Sequence, residues 1–177
     1  MLILSMATVS VDAGQPKLFV DPPTYTATLL GEVFTINISI ANVQDLKAFE
    51  FNLGYNTTLL DVLDAVVGPF PPRPLSSSLM KINESEGYVW VSVASRGAAN
   101  GNGTLATITF NATYAESASC TLDLYETYLY DSYATPILHD PVDGNYKFRI
   151  LSLTVATNKT AYLPGENVEI RGNLTLD

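Results

Sequence analysis

The sequence predicts an all-β fold in which two sheets pack as a β-sandwich. Apolar and polar residues alternate with a period of two over several stretches, which is typical of half-buried strands. Clusters of glycine, proline and asparagine separate these stretches. Apart from a single turn near residues 59–63, no stretch keeps apolar residues at helical spacing. Short strands with turn signals between them, on a chain of 177 residues, indicate a two-sheet sandwich.

The first two predicted strands span residues 34–40 and 46–55, and residues 41–45 are predicted as a short polar connection between them. In both strands every second residue is apolar, so one face is expected in the core and the other in solvent. The predicted core positions are Phe34, Ile36, Ile38, Phe49, Phe51 and Leu53. Thr35 and Asn37 are expected on the solvent side.

Five further strand-like segments follow. Residues 59–67 form an apolar run that ends at the proline-rich loop 70–78, where proline removes backbone donors. Residues 88–94 are apolar on both faces, as expected of a central strand. After a turn at 101–103, Ile108 and Phe110 alternate with Thr107 and Asn111, which are expected to face outward. Residues 121–130 and 145–150 complete the predicted set.

Three regions are expected along the chain. Residues 1–13 are apolar, too short to cross a bilayer, and end in Val-Asp-Ala, which suits a signal peptide remnant cut after Ala13. Residues 14–150 form the sandwich. Residues 151–177 give a strand, a Pro-Gly turn and a second strand, a pattern similar to the opening hairpin of immunoglobulin-like modules. Because a lone hairpin is marginally stable, we interpret this segment as the start of a second, truncated β domain.

Composition excludes several classes of partner. Nine basic residues against eighteen acidic ones give a net charge of −9 and a pI near 4.4. Such a chain repels nucleic acid and anionic lipid. The single cysteine, Cys120, cannot form an internal disulfide, and its leucine-rich surroundings favour a small apolar role over a nucleophilic one.

Asparagine usage predicts a secreted or cell-surface glycoprotein. Seven of the twelve asparagines lie in Asn-X-Ser/Thr triplets, where about two would be expected by chance. An N-glycan is large and hydrated, so an acceptor must face solvent in a protein that leaves the cytoplasm. The alternative is that threonine-rich strands produce the triplets by accident. The predicted glycosylation sites are Asn37, Asn56, Asn83, Asn102, Asn111, Asn158 and Asn173.

No catalytic residues are predicted. The only histidine, His139, lies in a polar turn without a second base or nucleophile nearby in sequence. Acidic pairs such as Asp61/Asp64 and Glu84/Glu86 have the spacing of ordinary solvated charges. Asp140 and Asp143 beside Gly144 could hold a structural calcium ion, although no EF-hand spacing is present. Otherwise no metal or cofactor is expected.

Several motifs resemble cohesin domains. Residues 31–38 (GEVFTINI) are similar to the glycine and valine-rich first strand of that family, and residues 46–56 (LKAFEFNLGYN) to its Phe-X-Phe-X-Leu-X-Tyr strand. Residues 103–110 (GTLATITF) resemble the Gly-X-Leu-Ala-X-Ile-X-Phe motif, and residues 143–146 (DGNY) the closing Asp-Gly turn. The resemblance covers residues 18–150.

The resemblance implies a nine-stranded jelly roll related to carbohydrate-binding modules, and a sheet face that docks a calcium-loaded dockerin in polysaccharide-degrading assemblies. The chain departs from the family pattern in two ways. Asn56 replaces the usual aspartate after Tyr55 and creates a sequon. Sequons at Asn37 and Asn111 are also expected to put glycans on sheet faces that a protein partner would need, since an interface buries about 800 Å² per partner.

Aromatic residues are the candidate ligand contacts. Flat rings along a sheet suit stacking against a sugar chain, with their hydroxyl groups left in water. The alternative is that these rings fill the core or the strand edges. The candidate residues are Tyr88, Trp90, Tyr125, Tyr128, Tyr130 and Tyr133.

The sequence therefore predicts a non-catalytic, extracellular binding or assembly module, and three hypotheses remain open. A protein-docking module would keep one sheet face flat and free of glycan. A carbohydrate-binding module would display exposed tyrosine and tryptophan rings. A structural spacer of a surface-layer or adhesin protein would have neither feature.

Overall fold

The computed structural model describes residues 14–75, 78–114, 116–157 and 159–176. The proposed signal remnant, residues 1–13, lies outside the described residues. Eleven strands are described, and the sequence-predicted all-β class is confirmed. The strands are Lys17–Asp21 (β1), Thr24–Ala27 (β2), Val33–Gly54 (β3), Leu60–Val67 (β4), Leu79–Asn83 (β5), Tyr88–Ala112 (β6), Ala118–Tyr130 (β7), Asp140–Val142 (β8), Gly144–Phe148 (β9), Leu151–Thr157 (β10) and Ile170–Leu176 (β11). This part of the chain contains no helix of the length and apolarity that a membrane crossing requires.

Two long strands, β3 and β6, run through both layers of the sandwich. In the first layer, residues 33–40 of β3 pair with residues 103–111 of β6, and β4 and β1 flank them. In the second layer, residues 48–54 of β3 pair with residues 88–94 of β6, and β5 and β7 flank them. Parallel pairs, β1 with β8 and β2 with β9, join the first strands of the sandwich to its last.

The prediction of a separate connection at residues 41–45 is wrong, because β3 continues through this segment with a sharp bend. The pairing register shifts repeatedly between Ile38 and Ala48, and Asn42 and Asp45 adopt φ values of 59° and 56°. Asparagine and aspartate tolerate this left-handed conformation better than most residues. Their backbone N–H groups donate to the side chains of Asn102 and Asn100, at 2.8 and 2.6 Å. The predicted turn at 101–103 is likewise a bend within β6, and Gly101 supplies its positive φ.

The helical turn predicted near residues 59–63 is also absent. A turn precedes Leu60, where the N–H groups of Leu59 and Leu60 both donate to the carbonyl of Asn56, and β4 starts directly afterwards. The second predicted strand therefore ends at Gly54, and the third begins at Leu60.

The core lies between the layers, where the alternating residues predicted it. Phe34, Ile36, Ile38, Phe49, Phe51, Leu53, Ile108 and Phe110 are all buried. Stacked rings join the two layers: Phe34 lies 5.5 Å from Tyr146 of β9 and 4.0 Å from Tyr25 of β2, measured between ring centroids. Thr35 faces solvent, while Asn37, Thr107 and Asn111 lie half-buried on the outer surface. The predicted register is confirmed.

Residues 151–176 form a separate two-stranded sheet in which β10 pairs only with β11. The prediction of strand, turn and strand is confirmed, with the turn at Pro164 and Gly165. Leu153 pairs with Leu174, and the side chains of both are exposed, as are those of Val155 and Ile170. One face of this hairpin is therefore apolar and open.

Candidate functional site

The outer surface of the second layer carries five of the six predicted contact residues. In β6 the valines alternate inward, so Tyr88 and Trp90 point outward. Trp90 pairs with Asn52 of β3, and Asn52 pairs in turn with Tyr125 of β7. The next outward positions of β7 add two more rings. We call this surface the aromatic face and define it by Tyr88, Trp90, Tyr125, Tyr128 and Tyr130.

The rings of this face are accessible to different degrees. The side chain of Tyr128 is 48% exposed, whereas those of Trp90 and Tyr125 are half-buried by their neighbours. Tyr125 lies against Gly54, where an added Cβ would approach its ring to 3.4 Å. Tyr133, the sixth predicted residue, is 87% exposed in the turn after β7, apart from the row. The five rings on the sheet therefore form one surface, and Tyr133 lies outside it.

An open cleft of ≈ 500 Å³ lies between Trp90 and Tyr125. Its lining combines aromatic rings with an amide, an amine and a carboxylate. The lining residues are Asn52, Lys81, Tyr88, Trp90, Tyr125 and Glu126. Such a mixture can pack against an apolar surface and also fix its orientation through hydrogen bonds.

A β-bulge positions the carboxylate of this cleft. The register between β3 and β7 shifts between Glu50 and Asn52, and Glu126 has a φ of 48°. The side chain of Asn52, 7% exposed, donates from Nδ2 to Oε2 of Glu126 at 2.9 Å. The bulge thus redirects the chain at Glu126, and Asn52 holds the acidic group beside the cleft.

The electrostatic environment of the aromatic face is acidic. Burial raises the pKa of the Tyr125 hydroxyl, and the charge of Glu126 raises it further, with smaller contributions from Tyr88, Asp123 and Glu86. Glu50 and Asp123 lie at outward positions of the same sheet. Lys81 is the cation that lines the cleft, and no ion pair within the described residues links it to these carboxylates. The face therefore complements a surface that carries basic groups.

Sequence reasoning missed Asn52, Lys81 and Glu126. The alternation of β3 already placed Asn52 outward, opposite the buried Phe51 and Leu53. In β7 the spacing of the core leucines changes after Leu124, since the next one is Leu129. That break in the period is the signal of a bulge at Glu126.

The two side chains that could act as a base or a nucleophile, those of His139 and Cys120, have structural roles. Both ring nitrogens of His139 are hydrogen bonded at 2.9 Å, Nδ1 with the carbonyl of Ile137 and Nε2 with Oγ1 of Thr127. The carbonyl can only accept, so Nδ1 donates to it. Burial raises the pKa of the Cys120 thiol, which keeps it protonated and weakly nucleophilic.

The suggested calcium ligands do not assemble. The Oδ1 atom of Asp143 accepts from the backbone N–H of Leu124 at 2.9 Å, which joins the β8–β9 turn to β7. Asp140 lies exposed on β8, pairing with Lys17. Within the described ranges, no group of three or more His, Cys, Asp or Glu side chains is placed to hold a metal.

The opposite surface, on the first layer, carries two of the predicted glycosylation sites. Asn37 pairs with Thr107, and Asn111 pairs with Val33. We call this surface the threonine face and define it by Thr35, Asn37, Thr107, Thr109 and Asn111. Asn37 and Asn111 therefore lie on the layer opposite the aromatic face.

The other sequons lie at ends and edges. Asn56 is in the turn after β3, Asn102 lies in the bend of β6, and Asn173 is on β11. Asn83 is the last residue of edge strand β5 and pairs with Tyr88, at one corner of the aromatic face. Asn158 lies outside the described residues.

Comparisons with known proteins agree on the family. The family model of the cohesin domain matches residues 20–144. No match was found among curated proteins.

Solved structures with the same fold are distant in sequence. A non-cellulosomal cohesin from the hyperthermophilic archaeon Archaeoglobus fulgidus is 18% identical, with a TM-score of 0.65 over 76% of this chain and 91% of that chain. A cohesin from Clostridium thermocellum in complex with a dockerin is 16% identical, with a TM-score of 0.68 over 77% and 95%. A type II cohesin from the cellulosome of Acetivibrio cellulolyticus is 16% identical, with a TM-score of 0.57 over 75% and 95%. The shared jelly-roll fold covers the sandwich in each case.

Proposed function

Because this chain belongs to the cohesin family, whose domains are non-catalytic binding modules, we propose that it docks a dockerin-like protein module through its aromatic face. The Clostridium thermocellum structure supports this proposal, since it is a cohesin–dockerin complex with the same fold. A sheet surface with half-buried rings, a polar cleft and few lysines has the composition of a protein interface.

One observation carries the choice of face. Of the two outer surfaces of the sandwich, only the threonine face has sequon asparagines among its central strands β3 and β6. The central outward positions of the aromatic face are Tyr88, Trp90, Asn52 and Glu50, and none of these can accept an N-glycan. A partner can therefore approach this surface closely. The acidic groups beside Tyr125 favour a partner with basic side chains at the contact.

Binding to immobilised dockerins tests the proposal. The panel contains dockerins encoded by the organism that makes this chain and the dockerin of the Clostridium thermocellum complex. We expect the native chain to bind at least one of them and Trp90→Ala to weaken that binding tenfold or more, because large aromatics dominate interface energetics. Thr109→Ala, on the threonine face, is the matched control and should bind like the native chain.

Two outcomes would contradict docking at this face. Loss of binding in Thr109→Ala but not in Trp90→Ala would move the interface to the opposite surface. If no dockerin binds, affinity electrophoresis in polysaccharide gels tests the carbohydrate hypothesis, which the cleft of Trp90, Tyr125 and Asn52 favours. Retardation that Trp90→Ala abolishes would establish a sugar site in place of a docking site, since stacking needs an open ring face.

We further propose that the module works on a secreted or cell-surface glycoprotein. The support is the density of sequons, seven in 177 residues, and the signal-like residues 1–13. The spacer hypothesis keeps the same location but gives the aromatic face no partner, so the dockerin panel also separates these two hypotheses.

We also propose that residues 151–177 begin a second, immunoglobulin-like domain. The support is that β10 and β11 share no sheet with the sandwich and expose Leu153, Val155 and Leu174 on one side. A chain that ends at Ile150 should then unfold at the same temperature as the full chain. A fall in Tm of more than about 4 °C would show that the hairpin stabilises the sandwich instead.

A further inference from the structure

Sequons on the sandwich differ in the way that each side-chain amide is used. An N-glycan is attached to Nδ2 of asparagine. In Asn37, the carbonyl Oδ1 accepts from Oγ1 of Thr107 at 2.8 Å, while Nδ2 has no hydrogen-bond partner among the described residues. Asn56 and Asn102 show the same arrangement, since their Oδ1 atoms accept from the backbone N–H groups of Thr58 and Asn42, both at 2.8 Å.

Asn83, at the corner of the aromatic face, is the exception. Its Nδ2 donates to Oε2 of Glu86 at 3.0 Å, and its Oδ1 accepts from Oγ of Ser85 at 2.8 Å. The backbone N–H of Glu86 also donates to Oδ1, at 3.3 Å. The atom that would carry a glycan is therefore hydrogen bonded to a carboxylate of the β5–β6 turn.

The two sequons of the threonine face are spaced to cover it. Asn37 is opposite Thr107 on β6, and Asn111 lies four residues farther along that strand, which places the two asparagines about 14 Å apart. Exposed valines lie next to both: Val33, 57% exposed, pairs with Asn111, and Val66, 49% exposed, pairs with Thr107. Glycans at these positions would shield apolar groups that this face otherwise exposes to water.

We propose that the sandwich is glycosylated on one side, with N-linked glycans at Asn37 and Asn111 covering the threonine face while Asn83 and the aromatic face stay bare. The positions follow from strand pairing, and the contrast between Asn37 and Asn83 follows from the hydrogen bonds of their amides. Their consequence, a surface kept free for a protein, rests on the proposed docking function.

Glycopeptide mapping of protein purified from the organism that makes it tests the proposal. Peptide N-glycosidase in ¹⁸O-water converts each occupied asparagine to a labelled aspartate, so occupancy is read site by site. We expect high occupancy at Asn37 and Asn111 and little or none at Asn83. Unmodified Asn37 and Asn111, or an occupancy of Asn83 equal to theirs, would overturn the proposal. The substitution Glu86→Ala removes the hydrogen bond to Nδ2 of Asn83. It should raise the glycan occupancy of Asn83 when the native chain and the variant are secreted from the same glycosylating host.

A relocated glycan separates this proposal from the docking proposal. The double substitution Ser92→Asn with Ala94→Thr creates a sequon at the centre of the aromatic face, where Ser92 pairs with Glu50. We expect this glycoprotein to lose dockerin binding at least tenfold, and the native glycoprotein to bind as well as its enzymatically deglycosylated form. If no dockerin binds the native, the deglycosylated or the substituted protein, the docking proposal is wrong. The occupancies from glycopeptide mapping then still decide whether glycosylation is one-sided. If native glycans block a dockerin that the deglycosylated chain binds, the bare-face proposal is wrong and docking stands.

Discussion

The two outer faces of the sandwich are built by the same two strands, yet they differ in almost every surface property. Residues 33–40 of β3 present Thr35 and Asn37 on one side, and residues 48–54 present Glu50 and Asn52 on the other. The threonine face is uncharged at its centre, whereas the aromatic face combines rings with carboxylates. Because both faces rest on one core, their differences come from outward residues alone. Function can therefore diverge on one face without altering the fold.

The largest expected effect concerns the shared core. Phe51 lies beneath the aromatic face and Phe110 beneath the threonine face, and both are fully buried. Substituting either by alanine should lower the free energy of unfolding by about 3–5 kcal/mol, through lost burial and a residual cavity. Denaturant unfolding measures both, with the exposed Thr35→Ala as a control expected to change little. A loss below about 1 kcal/mol for either phenylalanine would mean that the two faces do not share one core.

A smaller effect is expected at alkaline pH, and it tests whether the core between the two faces excludes water. Tyr146 is fully buried against Phe34, and its hydroxyl has no hydrogen-bond partner among the described residues. Burial, the largest cause, raises the pKa of Tyr146 to about 12. Because the folded pKa lies above the ordinary value of 10, the fold favours the neutral phenol. Its contribution to stability is complete below pH 10 and is lost as pH rises towards 12.

A shift of two pKa units corresponds to about 2.7 kcal/mol once the phenol is fully ionised. Tyr146→Phe should therefore flatten the fall in unfolding free energy between pH 10 and pH 12, measured by urea titration at each pH. Tyr128→Phe, on the exposed surface, controls for tyrosine titration in general. An unchanged slope in Tyr146→Phe would show that water reaches this hydroxyl.

The smallest effect compares one polar contact on each face. Asn52→Ala should cost about 1–3 kcal/mol, because Asn52 is buried and the substitution removes both its packing and its hydrogen bond to Glu126. Thr107→Val should cost about 0.5–1 kcal/mol, since its partner Asn37 can turn to water. Thermal unfolding measures both. Equal losses of unfolding free energy would mean that the polar contact on the aromatic face is no stronger than the one on the threonine face. A double-mutant cycle of Asn52→Ala with Glu126→Ala isolates the energy of the amide–carboxylate hydrogen bond.

Much of the sandwich could be predicted because alternation reports burial directly. The period of two in β3 and β6 identified the core residues Phe34, Phe51 and Phe110 as well as the outward Asn37. The bend of β3 could not be predicted in the same way. It depends on Asn100 and Asn102, which lie more than fifty residues away and accept from the backbone of Asp45 and Asn42.

The candidate residues were named from the sequence, but the surface that they form was not. Alternation put Tyr88 and Trp90 on one face of their strand without showing which face is covered. Only the pairing of β3 with both β6 and β7 shows that Trp90 and Tyr125 flank Asn52. The same pairing separates the sequons at Asn37 and Asn111 from these rings. Long-range register is thus the information that a single sequence did not supply.

The parallel pairing of the first and last strands has a mechanical consequence. β1 lies parallel to β8, and β2 lies parallel to β9, with Tyr25 opposite Tyr146. A pull on the start of β1 and on the end of β9 acts in opposite directions along parallel strands. Tension is then borne in shear, so the hydrogen bonds of each ladder must break together rather than one at a time. A module tethered at both ends would resist extension while its aromatic face, borne by the central strands, remained undistorted.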